Sequence, residues 1–366
     1  MDVIFNNFYR KKKVLVIGNT GFKGSWLSIW LMKLGADVYG LSNEIPTKPS
    51  LYKAALLQKK IKTNFSDIND LNSVIKIFKK IKPDIIFHLA AQPLVPKSYK
   101  DPINTFKTNA IGFANILEAL RIYNKPITAV MITSDKVYRN DERKKGYRET
   151  DILHGIDPYS ASKSCAEIIF SSYYNSYFKK SQIKLATGRA GNVIGGGDWA
   201  DNRIIPDIVK SINLKKKLII KNPQSTRPWQ HVLEPLSGYL LLGYNLNLKK
   251  KSYTVKGESF NFGPPNDQNK TVKELIIKYD KNLNIKNKNN NKKIYEAKLL
   301  KLNCRKSKKI LKWKSVLNFA ELVNFTSSWY ENYYKKNSLI NNYDFAIKQI
   351  DEYQKIAKKK KLIWAK

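Results

Sequence analysis

The sequence predicts an α/β protein: a doubly wound parallel sheet with a smaller C-terminal α/β region that binds substrate. Three observations predict it. Short apolar, β-branched runs alternate with helical patterns over the first half of the chain. A glycine loop, Gly18-Asn-Thr-Gly21-Phe-Lys-Gly24, stands directly between the first apolar run and the first helical pattern. After about Gly191 the rhythm gives way to longer Gly/Pro-rich loops such as GNVIGGGDWADNRIIP and NFGPPND.

Lys13 to Ile17 (KVLVI) reads as a strand. After the glycine loop, SWLSIWLMKLG has the apolar spacing of a helix and a stop at Gly35, and Ala36 to Leu41 reads as the second strand. Strand, glycine loop, helix, strand is the opening of a Rossmann-type dinucleotide-binding fold. The alternation continues with a strand over Lys60–Asn64, a helix over Asn69–Ile81 and a strand over Pro83–Leu89. A long helix is expected over Asp101–Tyr123 and a strand over Ile127–Thr133. Asp157-Pro158 opens a helix from Tyr159 to about Phe178, with Asp157 as N-cap, and Lys184–Arg189 is a further strand. Such alternation argues for parallel pairing. The expected division is a cofactor-binding domain over 13–189, with returning segments near 227–262. The substrate region then takes 190–226 and 263–335, and 336–366 is a basic, peripheral tail. Lys281–Lys293 is polar and low in complexity and is expected to be a surface loop. There is no internal repeat.

The chain has 366 residues, with 67 Lys+Arg against 29 Asp+Glu and a formal net charge of +38. At 42% hydrophobic and 12% aromatic it is no disordered chain. So basic a balance is the footprint of a nucleic-acid binder. The excess is mostly lysine, however, and comes with abundant Asn and Ile, the trio that A+T-rich coding yields without selection for function. The lysines cluster at Lys11–Lys13, Lys215–Lys217, Lys249–Lys251 and Lys358–Lys361, away from the motifs. Cys165 and Cys304 cannot make a disulfide framework or a four-ligand zinc site, and they fit a reducing cytosol. Three histidines without HxxH or HxxxH spacing predict no metal. No apolar run reaches the roughly 18 residues of a membrane helix, and MDVIFNNFYRKKK does not read as a signal peptide.

Three motifs carry chemistry. In the glycine loop, Gly18, Gly21 and Gly24 permit a tight turn and a close approach of backbone to a pyrophosphate at a helix N-terminus. The second strand ends in Leu41-Ser42 without an Asp or Glu for an adenosine ribose, so this position does not separate NAD from NADP. Asp67 either faces an adenine or caps the Asn69 helix. Tyr159 and Lys163 are four apart on one helical face, where an ammonium favours the phenolate and makes Tyr159 a usable base for a sugar hydroxyl. Thr133-Ser134-Asp135-Lys136 ends the fifth strand, on the side of an open sheet where ligands bind. No serine sits in a GxSxG elbow.

Together these motifs resemble the extended short-chain dehydrogenase/reductase family of nucleotide-sugar enzymes. Five stretches are similar to its CDP-glucose 4,6-dehydratase branch: TGFKGSWL from Thr20, TSDK from Thr133, DPYSASK from Asp157, RAGNVIGGGDW from Arg189 and TRPWQHVLE from Thr226. The similarity runs from about Lys13 to about Tyr334. It implies NAD held by Gly18, Thr20, Gly21, Phe22, Lys23, Gly24, Asp67, Ile68, Leu89, Ala90, Ala91, Thr108, Tyr159 and Lys163. It further implies a redox-neutral dehydration of CDP-glucose, with hydride passing from C4 to the cofactor and returning to C6. Tyr159, helped by Ser134 and Lys163, would take the C4 hydroxyl proton, and Asp135 would protonate the departing C6 hydroxyl. Related dTDP-glucose enzymes carry Asp-Glu where Asp135-Lys136 stands. Lys136 is either a neutral base at C5 or a cation beside the enolate.

For the substrate, Asn192 resembles the residue that holds the sugar or diphosphate, and Arg203 and Arg227 suit the diphosphate. His231 touches the nucleotide or packs, His88 reads as a core histidine, and Trp199 and Trp229 read as pocket walls. Relatives pair through helices matching Asp101–Tyr123 and Tyr159–Phe178, so a homodimer is implied, with neither membrane nor nucleic acid as partner. The implied product class feeds deoxysugars of surface polysaccharides. The rival expectations are a 4-epimerase or a dTDP- or GDP-sugar dehydratase of the same fold. A more distant rival is a non-catalytic NAD- or nucleic-acid-binding protein.

Overall fold

The computed structural model describes residues 4–143, 145–220, 222–248, 253–287, 299–335 and 338–366. Six strands and one later strand form the main sheet: β1 (Lys13–Ile17), β2 (Asp37–Ser42), β3 (Lys62–Phe65), β4 (Ile85–His88), β5 (Thr128–Ile132), β6 (Lys184–Ala190) and Ser259–Phe262. Their spatial order is β3-β2-β1-β4-β5-β6, then Ser259–Phe262, and every neighbouring pair is parallel. Chain order reverses between β1 and β4, which opens a crevice at their C-terminal ends.

The central strands β1, β4 and β5 are buried on both faces because helices cover both. Val14 and Val16 point into a core shared with Trp26, Trp30 and Leu236. Leu15 and Ile17, one residue out of phase, point into a second core with Phe78, Phe113 and Phe170. The expected helices form with shifted starts. Leu71–Ile81 begins two residues late because Asp70 is its cap, accepting from the Ser73 amide at 3.1 Å. The long helix runs as Pro102–Phe106, a π turn Lys107–Ile111 and Gly112–Tyr123. Pro158–Tyr173 opens on the expected Asp157, which forms a capping box with Ser160.

Beyond β6 come the helices Ile204–Asn213 and Leu233–Asn247, the second packed on β5 and β6, and two small two-stranded sheets. One pairs Thr226–Pro228 with Asn269–Thr271, and the other pairs Leu218–Ile220 with Ile285–Asn287. Thus part of the expected 281–293 loop is strand, while residues 288–293 lie outside the described residues, as do Lys249–Lys251.

The segment from 336, expected to be a peripheral tail, is a correction. Asn342–Lys359 is a helix whose Ala346, Ile350, Tyr353 and Ala357 are buried. After it Trp364 stacks on Phe5, with ring centroids 5.4 Å apart. Glu234 ties this part to the rest, accepting from the amides of Val316 and Leu317 and from the Tyr353 hydroxyl. The lysine-rich composition hides a four-three-four apolar stripe. Among the described residues, no helix is long and apolar enough to cross a membrane.

Candidate active site

The crevice floor is the glycine loop. Gly18 has φ +91°, and a Cβ there would lie 2.7 Å from the Ala90 amide nitrogen. A Cβ on Gly24 would lie 2.0 Å from the Gly18 carbonyl oxygen, so the helix start can sit on the turn only as glycine. Gly21 differs: its Cβ would meet nothing closer than the Gly18 oxygen at 3.4 Å, which leaves open space above the loop. The helix Phe22–Lys33 has Gly21 as N-cap and no capping side chain. Its first amides therefore face that space without a side-chain partner, which suits a dinucleotide pyrophosphate. Leu89, Ala90 and Ala91 are half-buried at the end of β4, on the same side.

The Ser42 end of β2, where an acidic residue is missing, is committed to the loop itself. Ser42 Oγ donates to Asn19 Oδ1 at 2.9 Å and accepts from the Thr20 amide at 3.3 Å. The Thr20 hydroxyl donates to the Glu44 carbonyl at 2.6 Å. Asp67 is exposed and does not cap the following helix: its Oδ1 accepts from the Asn69 amide at 2.9 Å. Ile68 is buried against Gly112, and its carbonyl accepts from Asn115 at 3.0 Å. Thr108 lies in the π turn, half-buried.

The sheet brings the predicted chemistry together at the end of β5. Ser134, Asp135, Tyr159 and Lys163 are all buried, and Lys136 is half-buried. The Tyr159 hydroxyl lies 3.5 Å from Ser134 Oγ, and Ser134 Oγ donates to Asp135 Oδ1 at 3.1 Å. A Cβ on Gly191 would fall 2.8 Å from Asp135 Oδ2, so the residue after β6 gives the carboxyl its room.

Burial dominates the protonation of these groups. It pushes the Asp135 carboxyl up, against the pull of Lys136, the Ser134 hydroxyl and Lys23. It pushes Lys163 down to about 8, with the nearby Lys23 charge adding to the effect and Glu167 opposing it. Lys23, from the glycine loop, is likewise lowered to about 8, first by burial and then by Arg203. The Tyr159 phenol is raised to about 12, with Ser134 and Arg203 pulling it back. The expected drop of this phenol toward neutrality is therefore not seen, because desolvation outweighs Ser134 and Arg203.

The remaining candidates scatter. Arg203 is half-buried, pairs with Asp198 of the GGGDW loop at 3.1 Å, and is close enough to bias Tyr159 and Lys23. Arg227 is half-buried and donates to the Thr226 carbonyl at 2.8 Å. Asn192 is exposed at the end of β6. His231 is fully buried between Trp26 and Phe325, and burial lowers it to about 3. His88 is buried beside Phe113. Trp199 is walled in by Trp329, Tyr330 and Tyr333. Among the described residues no three His, Cys, Asp or Glu side chains converge as metal ligands.

Two residues near the chemistry were not singled out from the sequence. Glu167 and Arg189 form a buried ion pair behind the site. The available signal was spacing: Glu167 is the acidic residue four beyond Lys163, and Arg189 is a charge inside an apolar strand.

Fold and site together define an enzyme of the extended short-chain dehydrogenase/reductase type. A family model described as GDP-mannose 4,6 dehydratase matches residues 15–326. A CDP-glucose 4,6-dehydratase of Salmonella typhimurium is 40% identical over 349 residues, which cover 92% of this chain and 96% of that protein. A UDP-glucose 4-epimerase of Mycoplasma genitalium is 26% identical, over 88% of this chain and 98% of its own length. Among solved structures, an epimerase of Methanothermobacter thermautotrophicus superposes with a TM-score of 0.77 at 23% identity, covering 94% of this chain and 98% of that one. The chain belongs to the GDP-mannose 4,6-dehydratase family, the nucleotide-sugar branch of these enzymes, and is a hydro-lyase.

Proposed function

We propose that this chain is a CDP-glucose 4,6-dehydratase, converting CDP-glucose to CDP-4-dehydro-6-deoxyglucose and water with NAD⁺. The observation that carries the reading is the buried Ser134–Asp135 turn, with half-buried Lys136 next to it, meeting Tyr159 in a chain 40% identical to a CDP-glucose 4,6-dehydratase over nearly its full length. When bound, NAD⁺ would supply reversible hydride transfer between C4 and C6 and would be unchanged per turnover. The glycine loop and the uncapped helix start would hold its pyrophosphate, and Leu89, Ala90 and Ala91 would line its path.

Tyr159 takes the proton of the C4 hydroxyl, with Ser134 bonded to the same oxygen and Lys163 supplying positive charge. The C4 ketone makes the C5 hydrogen acidic. Lys136 serves there either as the neutral base that takes the C5 proton or as a cation beside the enolate, and Asp135, whose hold on a proton burial strengthens, gives its proton to the leaving C6 hydroxyl. An acid at C6 is what a 4-epimerase has no use for, which favours dehydration over epimerisation. Arg203 and Arg227 would clamp the diphosphate, with Asn192 at its rim. Exposed Ile103, Ile111, Ile168 and Tyr177 lie on the helices through which a homodimer would form. Free thiols at Cys165 and Cys304 suit a cytoplasmic enzyme supplying deoxysugars for surface polysaccharides.

The test is incubation with NAD⁺ and, separately, CDP-, dTDP-, UDP- and GDP-hexoses, with mass spectrometry for loss of one water. Loss from CDP-glucose alone supports the reading. Loss from another nucleotide keeps the chemistry and discards cytidine, and no loss from any discards dehydration.

Two further outcomes are expected. Because Lys163 must stay charged, kcat should fall as pH rises through about 8. A profile flat to pH 10 would remove Lys163 from its role. Lys136→Met should slow solvent-deuterium incorporation at C5 by about 10²-fold. Unchanged incorporation would return Lys136 to the background of ordinary lysines.

A further inference from the structure

Glu167 and Arg189 are both about 3% exposed, and no step above uses them. Their contact is bidentate: Arg189 Nε donates to Glu167 Oε1 at 2.9 Å, and Nη2 donates to Oε2 at 2.8 Å. Stability alone explains such a pair poorly. Buried ion pairs replaced by apolar side chains of similar volume are often neutral or stabilising, because desolvation offsets the attraction. What the pair does provide is directed hydrogen bonds, and the groups it reaches are particular ones.

Glu167 Oε1 also accepts from the Thr133 hydroxyl, the residue just before Ser134. Arg189 Nη1 donates to the Tyr138 hydroxyl at 2.7 Å, two residues after Lys136, and to the Glu149 carbonyl at 3.2 Å. Tyr138 passes its own proton to Asn261 Oδ1 at 2.7 Å. Ser259 closes the far side, donating to Glu167 Oε2 at 3.1 Å. The segment carrying Ser134, Asp135 and Lys136 is therefore gripped at both ends, at Thr133 by the carboxylate and at Tyr138 by the guanidinium.

Each partner of the pair also belongs to an element that builds the site. Glu167 is on the helix of Tyr159 and Lys163, one turn beyond the lysine. Arg189 is on β6, which leads into Gly191 against Asp135. We propose that the Glu167–Arg189 pair is a positioning clamp that sets the Ser134–Asp135–Lys136 segment against Tyr159 and Lys163, so that acid and base act on one sugar. The proposal rests on the dehydratase reading of this site. Glu167 and Arg189 touch no substrate and are positioning residues.

The test is Thr133→Val, which keeps shape, removes one donor and leaves Glu167 bonded to Arg189 and Ser259. Tyr138→Phe loosens the other end. Misplacement of a catalytic group by a fraction of an ångström to 1 Å costs up to about 10²-fold, so each variant should lower kcat about 10-fold with KM for the nucleotide sugar held within about twofold. Amide hydrogen exchange over 133–138 should quicken, while that over 158–173 stays as in the wild type. A kcat within about twofold of wild type with unchanged exchange in both variants overturns the clamp. Parallel loss of kcat, KM and overall protection also overturns it, since that is plain destabilisation. If the wild type dehydrates no nucleotide sugar, the dehydratase reading fails by itself, and the exchange measurement alone then decides whether the segment is clamped.

Discussion

Replacing Tyr159 by Phe is expected to lower kcat by about 10²–10⁴-fold while NAD⁺ binding is retained. The ring is buried, so Phe keeps the packing and only the hydroxyl is lost. That hydroxyl lies 3.5 Å from Ser134 Oγ and is the side-chain group of its helix aimed at the Ser134–Asp135 turn. Burial holds its pKa at about 12, some five units above neutrality. Of the cations at the site, Arg203 pulls the phenol down, and the Lys23 charge lowers Lys163 beside it. Single-turnover assays with CDP-glucose, beside equilibrium binding of NAD⁺, separate the two effects. Turnover within about tenfold of the wild type would show that another group takes the C4 proton.

The parts of the fold that were legible are those set by local spacing. β1, Gly18 and the following helix are contiguous, and a glycine with positive φ packed on Ala90 is what the loop motif encodes. The Asp157 cap is readable for the same reason, since a capping box is a four-residue event. What could not be read depends on residues far apart. The Tyr353–Trp364–Phe5 cluster joins segments far apart in the chain, and its apolar stripe is diluted by the charged residues Asp344, Lys348, Glu352, Lys355, Lys358 and Lys359 on the exposed face. For His231 the sequence left nucleotide contact and packing both open, and its enclosure by Trp26 and Phe325, distant in sequence, could not be read from it. The phenol pKa failed for a related reason: the effect of Lys163 can be counted from a motif, whereas desolvation is a property of the whole assembled crevice.

Asp135→Asn is expected to separate the two halves of the reaction. The substitution is isosteric, which matters because the carboxyl has little room: a single carbon on Gly191 would approach it to 2.8 Å. Asn can still accept from Ser134 and so keep the loop in place, but its amide cannot deliver a proton to a leaving hydroxyl. Oxidation at C4 depends on Tyr159, Ser134 and Lys163 and should persist, read as nicotinamide reduction on mixing with CDP-glucose. Loss of water should slow by about 10²–10³-fold, within the range of one general acid. The raised pKa of Asp135 is what makes this division chemically sensible. Burial moves this carboxyl toward the protonated form, against the pull of Lys136 and Lys23, which is the direction a general acid needs. Those two lysines then have a second consequence: once Asp135 has given up its proton, they stabilise the carboxylate that remains. A variant that formed 6-deoxy product at the wild-type rate would take the acid role away from Asp135 and leave Lys136, its half-buried neighbour, as the group to test in that position.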